Sequence, residues 1–191
     1  MQMRGAPVGD RLEVSVSQFV VRRLAVQAGS TVSLLAIFGV GGFVLQAASA
    51  SRIVRGCTIV DHPTLQHHTS CAGAGLSRAN LARTNLSYAD LTHANLSHGR
   101  LSRANLFHAN LSDASLDGAN LTRARLARGD LTNASLTHTN LSHANARGAN
   151  LSHTNLLGAN LSNADLRNAD LTDARFCHTT MPNGQVNNSG C

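Results

Sequence analysis

The chain has 191 residues with no tryptophan and one tyrosine; aromatic residues make up 3% and charged residues 14%. Such a composition excludes a core built on large rings. The basic excess is wholly arginine, 16 Arg and no Lys against 10 Asp plus Glu for a formal charge of +6, which suits a polyanionic partner and equally an arginine-biased, GC-rich genome.

From Leu24 to Ser51 no residue is charged, and the apolar block Val32 to Leu45 follows Arg4, Arg11, Arg22 and Arg23. This is the outline of an export signal. Ala48 and Ala50 form an A-x-A-like site, so cleavage is expected before Ser51, leaving a mature chain of 51–191. The Arg22-Arg23 pair matches a twin-arginine signal, although Leu24-Ala25-Val26 after it is not diagnostic. The competing expectation is an uncleaved anchor helix, because 28 uncharged residues exceed the roughly 20 that span a bilayer; residues 24–50 would then contact the membrane. Three glycines in the block and the small-residue tail favour cleavage. The expected location is therefore secreted or cell envelope, with a membrane-anchored chain carrying its repeat outside as the alternative.

Cys57 and Cys71 lie fourteen positions apart, and Cys177 and Cys191 repeat that spacing. Of the three pairings four cysteines allow, the symmetry suggests two local staples, Cys57 to Cys71 and Cys177 to Cys191. In an exported chain they would be oxidised, each contributing about 3 kcal/mol. Free thiols would go with a cytosolic chain. A metal site would have to join Cys57 and Cys71 to His62, His67 and His68, but the tight spacing of structural zinc ligands is missing, so no metal or other cofactor is expected.

Beginning at Leu76, leucine returns every fifth residue to Leu171, nineteen times in twenty positions, with Ala146 the exception and Phe176 and Met181 keeping the beat. Two residues before each stands a small residue, usually Ala; Asn or Asp usually lies between, and Ser or Thr usually follows. A period of five places leucines all round an α-helix and on alternate faces of a strand. Only a chain that turns a corner every five residues brings them all inward.

The pentads Ala79-Asn80-Leu81, Ala89-Asp90-Leu91 and Ala164-Asp165-Leu166 carry the A(D/N)Lxx motif, and over residues 74–181 the chain resembles the pentapeptide-repeat family. The resemblance implies an all-β fold, a right-handed quadrilateral β-helix with four pentads per coil, preceded by the N-terminal signal or anchor helix. Residues twenty apart would stack at about 4.8 Å, giving a rod roughly 25 Å long. The implied organisation is 1–50 signal or anchor, 51–73 an N-terminal cap with the Cys57 loop, 74–181 the β-helix, and 182–191 a C-terminal cap closed by Cys191. The tail, with Met181-Pro182-Asn183-Gly184 and a terminal Cys, is similar to the closing segment of exported family members. At Ala146 a small cavity or a local bulge is expected.

Function is expected on the outer surface, assigned here to the two residues after each leucine. The second of these is rich in His and Arg, and stacking at twenty gathers Arg83, Arg103, Arg123 and His143 into one basic column, the candidate binding site. A second column places His93 beside Asp113 and His153 beside Asp173, on a convex face without a pocket. No nucleophile elbow, phosphate loop or zinc-protease pattern is present in the sequence, so no enzyme and no catalytic residue is expected. The resemblance also raises mimicry of DNA toward gyrase, known in the family. The repeat region has 10 Arg and 7 Asp, and the export signal would separate it from gyrase, so gyrase is the less favoured partner. The favoured expectation is an exported scaffold that contacts a polyanion or another envelope component. All ten His lie in 51–191, and imidazoles gain charge between about pH 7.5 and 5.5, so such contact should tighten in acid.

Overall fold

The computed structural model describes residues 30–31, 51–55, 57–60 and 68–191, and from residue 70 onward one local unit recurs. In Leu91-Thr92-His93-Ala94 the Ala94 amide donates to the Leu91 carbonyl at 3.1 Å and His93 lies at φ 55°, the third position of a type II turn. Just upstream, Asp90 Oδ1 accepts from the Thr92 amide at 3.1 Å and from its hydroxyl at 2.8 Å. The short polar side chain thus closes the bend from outside. This explains why Asn or Asp precedes the leucine and Ser or Thr follows it.

Successive turns bring residues twenty apart into parallel pairing. Four ladders result, beginning at Ser70, Gly75, Asn80 and Asn85; one of them runs Asn80, Arg100, Asn120, Asn140, Asn160, Thr180. They define four faces, numbered here in chain order: face 1 carries the Gly75 ladder, face 2 the Asn80 ladder, face 3 the Asn85 ladder and face 4 the Ser70 ladder. Coils are joined in both directions. The Leu121 amide donates to the Asn140 carbonyl at 2.8 Å, and the Asn120 amide donates back to Gly99 at 2.9 Å.

Leucine and alanine fill the interior. Leu81, Leu101, Leu121, Leu141 and Leu161 form one internal column, each at most 2% exposed, and the buried alanines let neighbouring backbones approach. Where threonine replaces that alanine, its hydroxyl finds a carbonyl: Thr139 donates to Leu116 and Thr154 to Leu151, both at 2.7 Å, which removes the penalty of burying it. The bulge expected at Ala146 does not occur. Its amide donates to Asp165 at 2.9 Å, and Asn145 pairs with both Arg125 and Asp165. The ladder is held by backbone groups, so losing the leucine side chain leaves the path unchanged.

Two small caps frame the coils. At the N-terminal end β1 (Ser30–Thr31), β2 (Ser51–Val54) and β3 (Cys57–Val60) form an antiparallel sheet; Thr58 bridges to Ser70, and Ile59 is fully buried. At the other end β4 (Thr179–Thr180) and β5 (Val186–Asn187) make a hairpin. The structure joins Cys57 to Cys71 and Cys177 to Cys191, with Cα atoms 5.3 and 4.9 Å apart, the pairing expected from the spacing. The C-terminal cap begins earlier than residue 182 and covers only part of the last coil. Leu166 and Leu171 remain half-buried there. Within the apolar N-terminal segment, Ser30 and Thr31 are extended and pair with β2 rather than forming helix. The rest of the signal or anchor segment and its cleavage site, Ala48 and Ala50, lie outside the described residues. Among the described residues no helix is long and apolar enough to cross a membrane.

Candidate functional site

The residue two after each leucine, where the sequence concentrates His and Arg, sits in the left-handed region in every pentad. Between residues 78 and 178 eighteen non-glycine residues lie there, and twelve of them are His, Asn or Asp. These types tolerate that conformation better than other non-glycine residues. The abundance of histidine therefore follows from the turn, whereas arginine is not a residue the turn demands. The side chains lean toward the following coil. A Cβ on Gly118 would stand 2.7 Å from His98 Nδ1, and one on Gly158 would meet His138 in the same way, so glycine below makes room for the imidazole above. Tyr88 stacks on His108 with ring centroids 5.5 Å apart.

Arg83, Arg103 and Arg123 stand exposed on successive rungs of face 2, with His143 on the next. Together with Ser102, Asn120 and Thr122 the three arginines line a shallow depression of about 390 Å³. The sequence reading missed Arg100 on the same face. It precedes Leu101, and the structure turns that position outward as well as the two that follow, so columns should be read there too. Face 2 carries these four arginines and no carboxylate among positions 80–163. Face 3 adds Arg125, Arg128 and Arg147. Its Arg167 is engaged differently, gripping Asp165 through Nε at 2.8 Å and Nη2 at 2.7 Å. That two-pronged contact, with the Arg167 amide, holds the Asp165 carboxyl down at about 2.

Across the rod, face 4 carries Asp90, Asp113, Asp130, Asp170 and Asp173 and no arginine. Along its ladder Asp and Asn alternate from Asp90 through Asn110, Asp130 and Asn150 to Asp170, which keeps like charges two coils apart. The side chains bond among themselves: the Thr132 hydroxyl donates to Asp130 at 2.6 Å and accepts from Asn150 Nδ2 at 2.8 Å. Hydrogen bonds from Thr172, with the charge of His153 nearby, lower the Asp170 carboxyl below its ordinary value. Of the two His and Asp pairs read from the sequence, His153 and Asp173 approach to 3.8 Å, both more than half exposed; His93 and Asp113 form no ion pair. The metal reading fares no better. Cys57 and Cys71 are bonded to each other, and His62 and His67 lie outside the described residues. Cys177, His178 and Cys191 also cluster, but there too the two sulfurs are bonded to each other.

A stack of uniform coils whose interior is closed and whose chemistry lies on flat outer faces defines a β-solenoid scaffold. The pentapeptide-repeats family model matches in eight copies over residues 67–181. The chain belongs to the pentapeptide-repeat family, and its coil is that family's right-handed β-helix. Proteins of this family are generally non-enzymatic structural or interaction proteins. Among solved structures it is similar to HetL, a pentapeptide repeat protein involved in heterocyst differentiation regulation in the cyanobacterium Nostoc, at 33% identity over 62% of this chain and 64% of that one, with a TM-score of 0.37. Rfr23 of the cyanobacterium Cyanothece matches at 36% identity over 50% and 58%, TM-score 0.21. A thylakoid-lumen pentapeptide repeat protein of Arabidopsis thaliana matches at 24% over 61% and 71%, TM-score 0.29. The match thus spans less than two thirds of the first two relatives. No curated protein sequence matches the chain.

Proposed function

We propose that the protein is an exported, non-enzymatic scaffold that binds a polyanion of the cell envelope or its surroundings through the face 2 column, Arg83, Arg103, Arg123 and His143. One observation carries the reading: three arginines on consecutive rungs have no carboxylate partner among the described residues, whereas Arg167 is paired with Asp165. Repulsion between stacked guanidinium groups is relieved when an anionic polymer lies along them. Export is supported by the charge-free segment before Ser51 and by cysteines placed to close both ends. Two measurements test the proposal. Fractionation of the native protein with N-terminal sequencing should find a chain beginning at Ser51 outside the cytoplasm; a chain beginning at Met1 inside it would overturn export, and one beginning at Met1 in the membrane fraction would favour the anchored form. Retention on an anionic matrix should fall with salt and be lost in R83S/R103S/R123S but not in R78S/R128S/R167S; equal losses would assign binding to net charge alone.

A second reading, an intracellular gyrase-interacting DNA mimic, gains support from face 4. The net positive charge of the repeat region conceals a side with five aspartates and no arginine. If this reading holds, the purified rod inhibits gyrase supercoiling and D90N/D130N/D170N relieves the inhibition. An unaffected gyrase reaction removes it.

A further inference from the structure

We propose that the depression along Arg83, Arg103 and Arg123 is a binding site for an acidic polysaccharide, a linear chain with one carboxylate per sugar residue lying parallel to the rod axis. The proposal rests on the polyanion reading above and narrows it to one class of ligand.

The hydroxyls supply the first argument. On face 4 every residue after the leucine turns its hydroxyl inward to the chain: Thr92, Ser112, Thr132, Ser152 and Thr172 donate to Asp90, Asn110, Asp130, Asn150 and Asp170 at 2.6 to 2.9 Å. On face 2 the hydroxyls of Ser102 and Thr122 have no partner among the described residues. They stand in the depression between the arginines, beside the Asn120 side chain, as a row of donors and acceptors for sugar hydroxyls. Arginine at each rung offers a planar fork that matches a carboxylate, and the rung spacing of about 4.8 Å repeats it along the axis.

Arg100 supplies the second. It occupies the place where Asn or Asp would accept the amide two residues on, as Asn120 accepts from Thr122 at 3.0 Å. The chain gives up that turn-closing bond at Ser102 and gains a cation beside the depression. Arg125 on face 3 breaks the same local rule, so Arg100 counts here for the cation it places beside the depression.

The remaining polyanions fit less well. Between residues 80 and 163 face 2 presents no Phe, Tyr or Trp ring, so the stacking platform offered to nucleobases is limited to His143 and the guanidinium planes. It presents no large apolar side chain either, so nothing would enter the acyl region of a lipid surface.

The test uses the oxidised full chain with four probes: polygalacturonate, neutral dextran, single-stranded oligo(dT), and vesicles of phosphatidylglycerol and phosphatidylcholine. Polygalacturonate is expected to bind more tightly than oligo(dT) or vesicles at equal anionic charge, and dextran not at all. R83S/R103S/R123S should weaken polygalacturonate binding roughly tenfold or more, with an unchanged circular dichroism spectrum. S102A/T122A should weaken polygalacturonate while leaving the residual oligo(dT) affinity as it was, a separation that bulk charge does not produce. Oligo(dT) or vesicles bound as tightly as polygalacturonate would overturn the polysaccharide assignment and leave the polyanion reading standing. Absence of binding to every charged probe would overturn both.

Discussion

Faces 2 and 4 are made from the same pentads, share the same coil spacing and lie on opposite sides of the rod, yet one carries four arginines without an aspartate and the other five aspartates without an arginine. The fold does not require the difference. At the position before most leucines a short side chain accepts the amide two residues on, and Asn120 on face 2 does this as well as Asp130 on face 4. Two residues after the leucine the turn needs tolerance of positive φ, which Arg123 meets at φ 58° and Asp113 at φ 58°. Charge is the variable that the backbone leaves open, and here it is sorted by side.

The comparison can be broken most severely from within. Leu121 under face 2 and Leu131 under face 4 are both fully buried, so Leu121→Asp and Leu131→Asp should each cost several kcal/mol and abolish the cooperative thermal transition. Arg123→Asp, exposed at a turn that accepts aspartate, should scarcely move it. Unequal effects of the two leucine variants would show that the faces differ in packing and not only in charge.

A smaller effect should come from the turn itself. Arg123→Val and Asp113→Val place a β-branched residue at positive φ and should each cost about 1 to 3 kcal/mol, whereas Arg123→Asn should be close to neutral. Calorimetric melting checks this, and an Arg123→Val variant as stable as the parent would contradict the turn assignment.

Next in size is the side-chain acceptor. Asp130→Ala removes bonds from the Thr132 amide and hydroxyl and should destabilise by about 1 kcal/mol. Arg100→Asn restores the acceptor that face 2 lacks there and should stabilise by a similar amount while weakening polyanion retention. Denaturant titration reads both signs.

The smallest effect concerns acid. The carboxyls of Asp165, at about 2, and of Asp170 lie below their ordinary value, so the stability they add is complete above the unfolded value of about 3.9 and is lost as pH falls through the folded one. In Arg167→Ala the Asp165 carboxyl should move up from about 2 in carbon NMR yet stay below its ordinary value, because the amide of residue 167 still donates to it, and the acid limb of the stability curve should flatten. An unmoved Asp165 titration would show that Arg167 does not hold it.

The interior was legible because leucine at a period of five admits few chain paths, and the resemblance supplied the number of pentads per coil that turned the list of residues into columns. The disulfides were legible for the same reason: matched spacings at the two ends of a rod leave only local partners. Much of the surface was not. His93 and His153 stood out in the sequence for their aspartate neighbours, and the backbone shows that their position selects for tolerance of positive φ. Arg100 was passed over because the residue before the leucine had been treated as part of the motif, although its side chain projects outward. Asp90, Asp130 and Asp170 were hidden in the net charge, since a sum over the repeat carries no information about sides. Ala146 read as a flaw because side-chain volume was weighed and backbone pairing, which holds the coil, was not visible in the sequence.

The twenty-residue coil also determines which length changes the protein can survive. Duplicating or deleting twenty residues adds or removes one coil and leaves every downstream residue on its own face, so the basic and acidic sides stay intact and the rod only changes length. Deleting a single pentad, for example residues 104–108, preserves the leucine beat equally well but rotates everything after it by a quarter turn. Arg123 would then pass from face 2 to face 1, and Asp130 from face 4 to face 3. Gene rearrangements that are indistinguishable to the core thus divide into those that extend the charge pattern and those that scramble it.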